Sequence, residues 1–207
     1  MKGQGIKKNN WEDHYTRKAK KDKYPARSVY KLEEIQKKFR VIKKKDSVLD
    51  LGCAPGSWLI YAAELTGLTG SVVGIDIKQI RINLPGHITI YTGDMLSQNS
   101  FFSEKKQFNV VLSDMAPSTT GNKHLDSTRS FNLAMAALEC AQQRLKPGGK
   151  FVCKIFQGED FNFFLDLVKK NFNNVKIFKP QSSRKASREI YIIGLNFLIK
   201  GDLNVRT

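Results

Sequence analysis

VLDLGCAPGSW occupies residues 48–58 and decides the fold of this 207-residue chain. Its apolar first half is typical of a buried strand, and Gly52 and Gly56 then permit the positive φ angles of a turn that leads into a helix. Asp50 lies near the end of the strand, where its carboxylate faces a crevice as an acceptor. The stretch is neither the GxGxxG fingerprint nor a P-loop, since no GK[ST] follows, so we do not expect it to grip phosphates.

The pattern of strand, turn and helix repeats along the chain. The clearest helices are expected at residues 130–145, before the Pro147-Gly148-Gly149 turn, and at residues 161–172. The expected strands cover residues 47–52, 72–76, 88–92, 108–114, 150–156, 175–178 and 189–199. This alternation predicts an α/β fold with a parallel sheet, helices on both faces and ligands at the carboxyl edge of the strands.

The N-terminal residues differ in composition from the rest. We predict a loosely held basic arm over residues 1–26, with one short helix near residues 11–20, and a single domain over residues 27–207. Between residues 27 and 39 the apolar positions recur at helical spacing, with Ser28 near the start and Lys31 off the apolar stripe.

Aromatic residues interleave with the early basic residues of the chain, at Trp11, Tyr15, Tyr24 and Tyr30. Such rings are typical of stacking platforms for nucleic-acid bases. The alternative is that Trp11 and Tyr30 pack the arm onto the core.

The chain is strongly basic, with 35 Lys and Arg residues against 19 Asp and Glu residues and a formal net charge of +16. The excess is concentrated in patches, including residues 43–45 and the cluster of Arg184, Lys185 and Arg188, which predicts a polyanionic partner. Nucleic acid is favoured over a membrane because the sequence has no apolar run of about 18 residues. No segment reads as a signal peptide, and acidic residues disfavour a transit peptide, so we expect a cytoplasmic protein.

Cysteine and histidine show no metal-binding spacing. Cys53, Cys140 and Cys153 form no CxxC pair, so we expect reduced, apolar side chains. The three histidines form neither HExxH nor a Cys/His pattern, and we expect no metal site.

Aspartates follow three successive strands. Asp50 belongs to the first strand and Asp76 ends the second, where a carboxylate commonly binds two ribose hydroxyls. Asp94 follows the third strand and is positioned to accept from an adenine amino group. One such residue alone would often be a turn or capping residue, but three in succession predict an adenosine-containing cofactor.

Lys31, Asp114, Lys154 and Glu189 lie in the motifs YKLEEIQ, SDMAPSTTG, CKIFQGE and SSRKASREIY. Two ammonium groups beside two carboxylates would make a proton-handling site, because the charge state of each lysine depends on its neighbours. The alternative is a set of ordinary surface salt bridges.

These motifs, with DLGCAPGSW, the Gly-Asp pair that ends at Asp94 and KPGGKF, resemble the FtsJ/RrmJ (RlmE-type) family of S-adenosylmethionine-dependent RNA ribose 2'-O-methyltransferases. The resemblance runs in order over about residues 11–199. The resemblance implies a Rossmann-like class I methyltransferase fold with a seven-stranded, mostly parallel sheet and an antiparallel last strand. Such a strand starts at the edge where its parallel neighbours finish, so Glu189 is expected to meet Asp114 and Lys154.

The resemblance also implies residue roles. Cys53 and Ser57 stand where the family often has Ala and Gly, and both are small enough to keep the loop conformation. Residues 118–121 would form a mobile loop at the mouth of the site, or a solvated turn. The expected S-adenosylmethionine site comprises Asp50, Gly52, Gly56, Trp58, Asp76, Asp94 and Asp114.

The implied reaction is methyl transfer to a ribose 2'-hydroxyl of large-subunit ribosomal RNA, at a uridine. Lys154 is the expected base, with Lys31 favouring its neutral form and Asp114 and Glu189 opposing it. A protonated Lys154 that orients the hydroxyl is the alternative. Methylation of tRNA or an mRNA cap remains open, as does a catalytically silent RNA-binding or ribosome-assembly protein. We expect a monomer that acts on RNA within the large subunit and not on membranes.

Overall fold

The computed structural model describes residues 14–82, 84–94 and 106–199. Within these ranges the strands are β1 (Ser47–Leu51), β2 (Ser71–Asp76), β3 (Ile88–Thr92), β4 (Phe108–Ser113), β5 (Leu145–Phe156), β6 (Phe172–Phe178) and β7 (Glu189–Phe197). The helices are α1 (His14–Lys21), α2 (Val29–Phe39), α3 (Ser57–Thr66), α4 (Lys123–Arg144) and α5 (Phe161–Asn171). No helix in the described ranges combines the length and the apolar composition needed to cross a membrane.

The strands form one seven-stranded sheet in the order β3-β2-β1-β4-β5-β7-β6. Strands β1 to β5 pair in parallel, whereas β7 runs antiparallel between β5 and β6. This confirms the predicted Rossmann-like fold with an antiparallel last strand. The strand order reverses between β1 and β4, and in such sheets the ligand crevice lies outside the carboxyl ends of these strands.

Alternation along the strands divides the core between the two faces of the sheet. Val48, Val110 and Val152 point to the face that α2 and α3 cover. Their neighbours Leu49 and Val111 point to the opposite face, which packs against α4 and α5. Because successive side chains alternate, a residue two positions along a strand is on the same face, and this rule places the polar residues described below.

Two elements differ most from the sequence prediction. Helix α4 begins at Lys123, about two turns earlier than expected, because the side chain of Asn122 caps it by accepting from the N–H groups of His124 and Leu125. Strand β5 begins at Leu145, so the KPGG segment is included in a strand whose register with β4 shifts after Phe108.

The described part of the basic arm packs against α2 and α3. Ala19 of α1 is buried, and the hydroxyl of Tyr30 donates to Asp22 Oδ2 at 2.8 Å. The hydroxyl of Tyr24 donates to Glu64 Oε2 at 2.7 Å. These contacts favour packing over base stacking for both tyrosines. Trp11, at the expected start of the helix, lies outside the described residues, and the domain division after residue 26 stays a prediction.

Candidate active site

Strand alternation brings the predicted polar residues to one corner of the sheet. Asp50 follows Val48 by two positions and Lys154 follows Val152 by two, so both lie on the face that α2 and α3 cover. Four further residues share this face or its helix cover: Asp76 at the end of β2, Asp114 just after β4, Glu189 at the start of β7 and Lys31 in the first turn of α2. The site therefore lies at the carboxyl edge of the parallel strands.

Lys31 and Glu189 form one ion pair of the site. Lys31 Nζ lies 2.7 Å from Glu189 Oε1, and the two side chains are 12% and 11% exposed. The pair joins α2 to the first residue of β7. Ser28, expected near the start of α2, makes no side-chain cap. Its carbonyl oxygen instead accepts from the indole of Trp58 at 2.8 Å.

Lys154 and Asp114 form the second pair. Lys154 Nζ lies 2.9 Å from Asp114 Oδ1 and also donates to the Asp114 carbonyl oxygen. Burial acts to raise the pKa of Asp114, but the ammonium groups of Lys154 and Lys31 and the hydrogen bonds from Lys154 and Tyr191 hold that pKa below its ordinary value. Asp114 is therefore ionised at neutral pH and places a negative charge beside Lys154 Nζ.

Tyr191 is a site residue that the sequence reasoning missed. It is fully buried, and its hydroxyl donates to Asp114 Oδ1 at 2.6 Å. Lys31 Nζ lies 6.0 Å from the centre of its ring, so Tyr191 contacts one ion pair and flanks the other. It lies directly opposite Lys154 in the ladder between β5 and β7. The available signal was its position two residues after Glu189, on the same strand face.

The structure pairs the four charged residues differently from the expectation for Glu189. Glu189 is the cross-strand partner of Phe156, and its carboxylate pairs with Lys31, whereas Asp114 pairs with Lys154. The four side chains thus form two ion pairs at one corner of the sheet, which Glu189 reaches because the antiparallel β7 begins at the edge where its parallel neighbours end.

Gly52 and Gly56 shape the loop after β1. Both have positive φ angles, +75° and +107°. A Cβ atom at Gly52 would collide with the side chain of Met115, and one at Gly56 would lie 2.6 Å from Ile82 Cδ1. Trp58 is buried in the core beside Tyr191, with ring centroids 6.0 Å apart. Its side chain therefore anchors the start of α3, directly after the loop, to the core.

Asp76 anchors the same loop from β2. Its carboxylate accepts from the N–H of Ala54 and from the N–H of Lys78, both at 2.8 Å. Ile77, the next residue, is 68% exposed. Asp94 is exposed just after β3, and the N–H of the preceding Gly93 donates to the Asp76 carbonyl oxygen at 2.9 Å. The two predicted cofactor aspartates therefore lie at adjacent strand ends.

Asp50 is buried without a partner among the residues that the structure describes. Only 1% of the residue is exposed, and neither carboxylate oxygen accepts a hydrogen bond from residues 14–82, 84–94 or 106–199. Burial, and then the charges of Asp114 and Asp76, raise the pKa of Asp50 well above its ordinary value. A buried acceptor without a donor is destabilising by itself, so this site fits a ligand that brings a donor or a positive charge.

The loop at residues 118–121 is attached to the start of α4. The N–H and the hydroxyl of Thr120 donate to Asp126 Oδ1 at 2.8 and 3.0 Å. These bonds, with the N–H of Gly121, lower the pKa of Asp126. Arg188, expected to contact phosphate, donates to the hydroxyl of Ser127 at 2.9 Å and is thus engaged within the protein.

Comparisons with known proteins identify the family of this chain. The model of the FtsJ-like methyltransferase family matches residues 24–197. A ribosomal RNA large subunit methyltransferase E from Desulforapulum autotrophicum is 59% identical over 200 residues, covering 94% of this chain and 98% of the relative. A protein of the same name from Desulfatibacillum aliphaticivorans is 50% identical over 209 residues, covering 100% of both chains.

Solved structures share the fold. A protein from Plasmodium falciparum described as a ribosomal RNA methyltransferase has a TM-score of 0.73 and 29% identity, with 84% of this chain and 99% of that chain covered. Aeropyrum pernix fibrillarin, solved with bound S-adenosyl-L-methionine, has a TM-score of 0.58 and 15% identity, with 81% and 76% covered. At that identity the second likeness concerns the fold alone.

Proposed function

Because this chain belongs to the FtsJ-like methyltransferase family, we propose that it transfers the methyl group of S-adenosylmethionine to a ribose 2'-hydroxyl of large-subunit ribosomal RNA, at a uridine. The observation that carries the proposal is the pair of ion pairs, Lys154–Asp114 and Lys31–Glu189, beside the glycine loop at the carboxyl edge of the sheet. The names of the relatives support ribosomal RNA as the substrate.

The residues at the strand ends fit S-adenosylmethionine. The unpartnered carboxylate of Asp50 suits a positively charged ammonium group, and Gly52 and Gly56 give the loop after β1 its positive φ angles. Asp76 can accept from ribose hydroxyls with its remaining lone pairs, while Asp94 would accept from the adenine amino group. The exposed side chain of Ile77 offers an apolar surface to the purine ring.

When bound, S-adenosylmethionine supplies a methyl group already activated by a positively charged sulfur. The protein therefore has to position the ribose hydroxyl and allow that hydroxyl to lose its proton. Lys154 is the residue that we place at the hydroxyl. Lys154 Nζ lies 2.9 Å from the Asp114 carboxylate, and as an ammonium it would donate a hydrogen bond to the 2'-oxygen and orient a lone pair, while the 2'-hydroxyl proton leaves to solvent as the carbon–oxygen bond forms. The role of Lys154 as a base stays a prediction.

The remaining site residues hold this arrangement. The Lys31–Glu189 pair would keep a fixed positive and negative charge beside the ribose, and it is only slightly exposed, so its charges are weakly screened. Tyr191 fixes the Asp114 carboxylate by donating to the oxygen that contacts Lys154. These residues therefore act mainly by holding the ammonium group of Lys154 in a fixed position.

Basic side chains near the site would contact RNA phosphates. Arg184 and Lys185 are exposed in the segment that leads into Glu189, at the edge of the sheet that carries the site. The loop at residues 43–45 precedes β1, whose carboxyl end bears the site, so it lies at the opposite edge of the sheet. We therefore assign phosphate contacts near the target ribose to Arg184 and Lys185. We further propose a monomer in the cytoplasm.

The test is methyl transfer from a labelled donor to purified large ribosomal subunits that lack the modification, to naked ribosomal RNA and to tRNA. A shallow basic surface gives affinity but little sequence discrimination, so the folded particle should supply the specificity. We expect single-site labelling of a 2'-hydroxyl in the particle and little labelling of tRNA. Efficient single-site labelling of tRNA, with inert particles, would replace the ribosomal assignment with the tRNA alternative.

A further inference from the structure

The ion pair between Lys31 and Glu189 joins elements that are far apart in the chain. Lys31 lies in the first turn of α2, and Glu189 is the first residue of β7, directly after the loop that connects β6 to β7. A 2.7 Å contact between such elements requires that the loop before Glu189 keep a fixed position relative to α2. The contacts between this loop and α2 therefore bear on the geometry of the site.

Glu34 holds the loop by its backbone. Its Oε2 accepts from the N–H of Gln181 at 2.7 Å, and its Oε1 accepts from the N–H of Ser182 at 2.9 Å. Both carboxylate oxygens of one side chain thus hold two consecutive amides, and hydrogen bonds to an ionised acceptor are about twice as strong as neutral ones. Glu34 follows Lys31 by three residues, so the two side chains leave α2 on neighbouring positions of one helix face.

Arg27 holds the same loop residue from the other side. Its guanidinium donates to the carbonyl oxygen of Ser182, whose N–H is bound by Glu34. Arg27 precedes Lys31 by four residues, which is the spacing of side chains on one helix face, although Arg27 lies just before α2. Ser182 is fully buried at this junction. Both backbone polar groups of one loop residue are therefore attached to the segment that carries Lys31.

The rest of the loop is closed on itself. Lys179 Nζ donates to the Ser187 carbonyl oxygen at 2.9 Å, and the N–H of Ser187 donates to the Arg184 carbonyl oxygen, also at 2.9 Å. The N–H of Glu189 donates to the hydroxyl of Ser187 at 3.2 Å. A displacement of Ser182 would therefore be transmitted along a folded loop to Glu189.

We propose that Glu34, together with Arg27, is a positioning residue of the catalytic site, which fastens the β6–β7 loop to α2 and thereby sets the Lys31–Glu189 ion pair. The effect on catalysis rests on the proposed function. The attachment of the β6–β7 loop to α2 does not depend on that function. Glu34 does not touch the reacting groups. It acts through the backbone of Gln181 and Ser182.

Glu33 provides a matched control on the same helix. Its carboxylate pairs with Lys37 one turn along α2. Glu33→Ala therefore removes the same charge and the same side-chain length as Glu34→Ala, and the partner of Glu33, Lys37, lies within α2 instead of the loop. Should Glu34→Ala fail to fold, Glu34→Gln keeps the volume and replaces one acceptor oxygen by an NH2 group, which donates and cannot accept.

The experiment measures amide hydrogen exchange in residues 180–188 and, separately, kcat and KM at 25 °C, with kcat normalised to the protein that binds S-adenosylmethionine. We expect Glu34→Ala to increase exchange in this segment and to lower kcat about 10-fold or more, with KM for the methyl donor unchanged, because misplacement of about 1 Å in an active site can cost that much. Glu33→Ala should change neither quantity.

Unchanged exchange in residues 180–188 would overturn the attachment. Faster exchange with an unchanged normalised kcat would overturn the positioning role, since a merely structural contact lowers the unfolding temperature without changing the rate of the folded protein. A wild-type protein that methylates none of the RNAs would overturn the proposed function, while the exchange measurement would still decide the attachment of the loop.

Discussion

The hydroxyl of Tyr191 and the ammonium of Lys154 meet at a single atom, Asp114 Oδ1, at 2.6 and 2.9 Å. One carboxylate oxygen thus accepts from a neutral donor on β7 and a charged donor on β5. Since Tyr191 is fully buried, its bond to the carboxylate is shielded from water. The position of the Asp114 carboxylate, and with it the position of Lys154, depends on Tyr191.

Tyr191→Phe removes this donor and keeps the ring. We expect a loss of about 1.5–3 kcal/mol in the free energy of unfolding at neutral pH, the usual value for a hydrogen bond to a charged group. The pKa of Asp114 is held low partly by this bond, so its stabilising contribution is present above the ordinary pKa and is lost as pH falls through the lowered value. The variant should lose activity at a higher pH on the acid side.

Denaturant unfolding and the rate of methyl transfer at acidic pH check this prediction, with Tyr61→Phe on α3 as the control. If the rate of the variant fell at the same acidic pH as the rate of the wild type, Tyr191 would not influence the pKa of Asp114.

Lys154→Ala should lower methyl transfer by about 100-fold or more, because general acid–base or orienting groups contribute at least that much. The affinity for S-adenosylmethionine should change little, since Lys154 acts on the ribose hydroxyl in the transition state. Single-turnover labelling and titration calorimetry measure the two quantities. Lys169→Ala, an exposed lysine of α5 paired with Asp166, is the control. Retention of more than about a tenth of the wild-type rate would remove Lys154 from catalysis.

The pH dependence of kcat separates the two roles of Lys154. If the lysine acts as an ammonium paired with Asp114, the rate should not increase between about pH 7 and 9. If it acts as a base, the rate should increase by up to about tenfold per pH unit as the neutral form accumulates. Substrate-saturating conditions are needed, so that RNA affinity does not contribute.

Asp50→Asn should stabilise the protein without ligand and weaken the binding of S-adenosylmethionine. The pKa of Asp50 is raised by burial, so the native carboxyl keeps its proton while the unfolded one ionises. Its stabilising contribution is therefore full below the ordinary pKa and decreases as pH rises toward the raised value. Asp50→Asn has no carboxyl group at this position, so its stability does not decrease in this way. The unfolding temperature of the variant should therefore exceed that of the wild type by a difference that grows from pH 5 to pH 8.

Thermal unfolding across this pH range, with and without S-adenosylmethionine, measures both effects. A constant difference between variant and wild type at all pH values would contradict the raised pKa. Unchanged affinity for the methyl donor would remove Asp50 from the cofactor site.

Replacing both Arg184 and Lys185 by glutamine should weaken RNA binding and reduce the slope of log affinity against log salt concentration by about 1.5. Each phosphate contact contributes roughly 0.7 to 0.9 to this slope. Lys43 and Lys44 are also exposed, and their replacement by glutamine removes the same charge at the opposite edge of the sheet. Equal effects of the two double variants would mean that the RNA also covers that edge.

The fold was predictable because its signals are local. Apolar strands, glycines with positive φ and helical spacing are properties of short segments, and the observed strands differ from the expected ones mainly at their ends. The longer α4 was missed because its start depends on the Asn122 cap, whereas the expectation relied on apolar periodicity. The positions of Asp76 and Asp94 at strand ends were likewise readable from sequence.

The amino-acid sequence by itself determined which residues lie on the site face, because strand alternation is a local rule that relates Asp50 to Val48 and Lys154 to Val152. Only the tertiary structure decided the partners. Strand β7 lies between β5 and β6, and this insertion sets Tyr191 opposite Lys154 and brings Glu189 to Lys31. Ion pairs and hydrogen bonds depend on distances of a few ångströms between segments remote in the chain, and packing alone sets those distances.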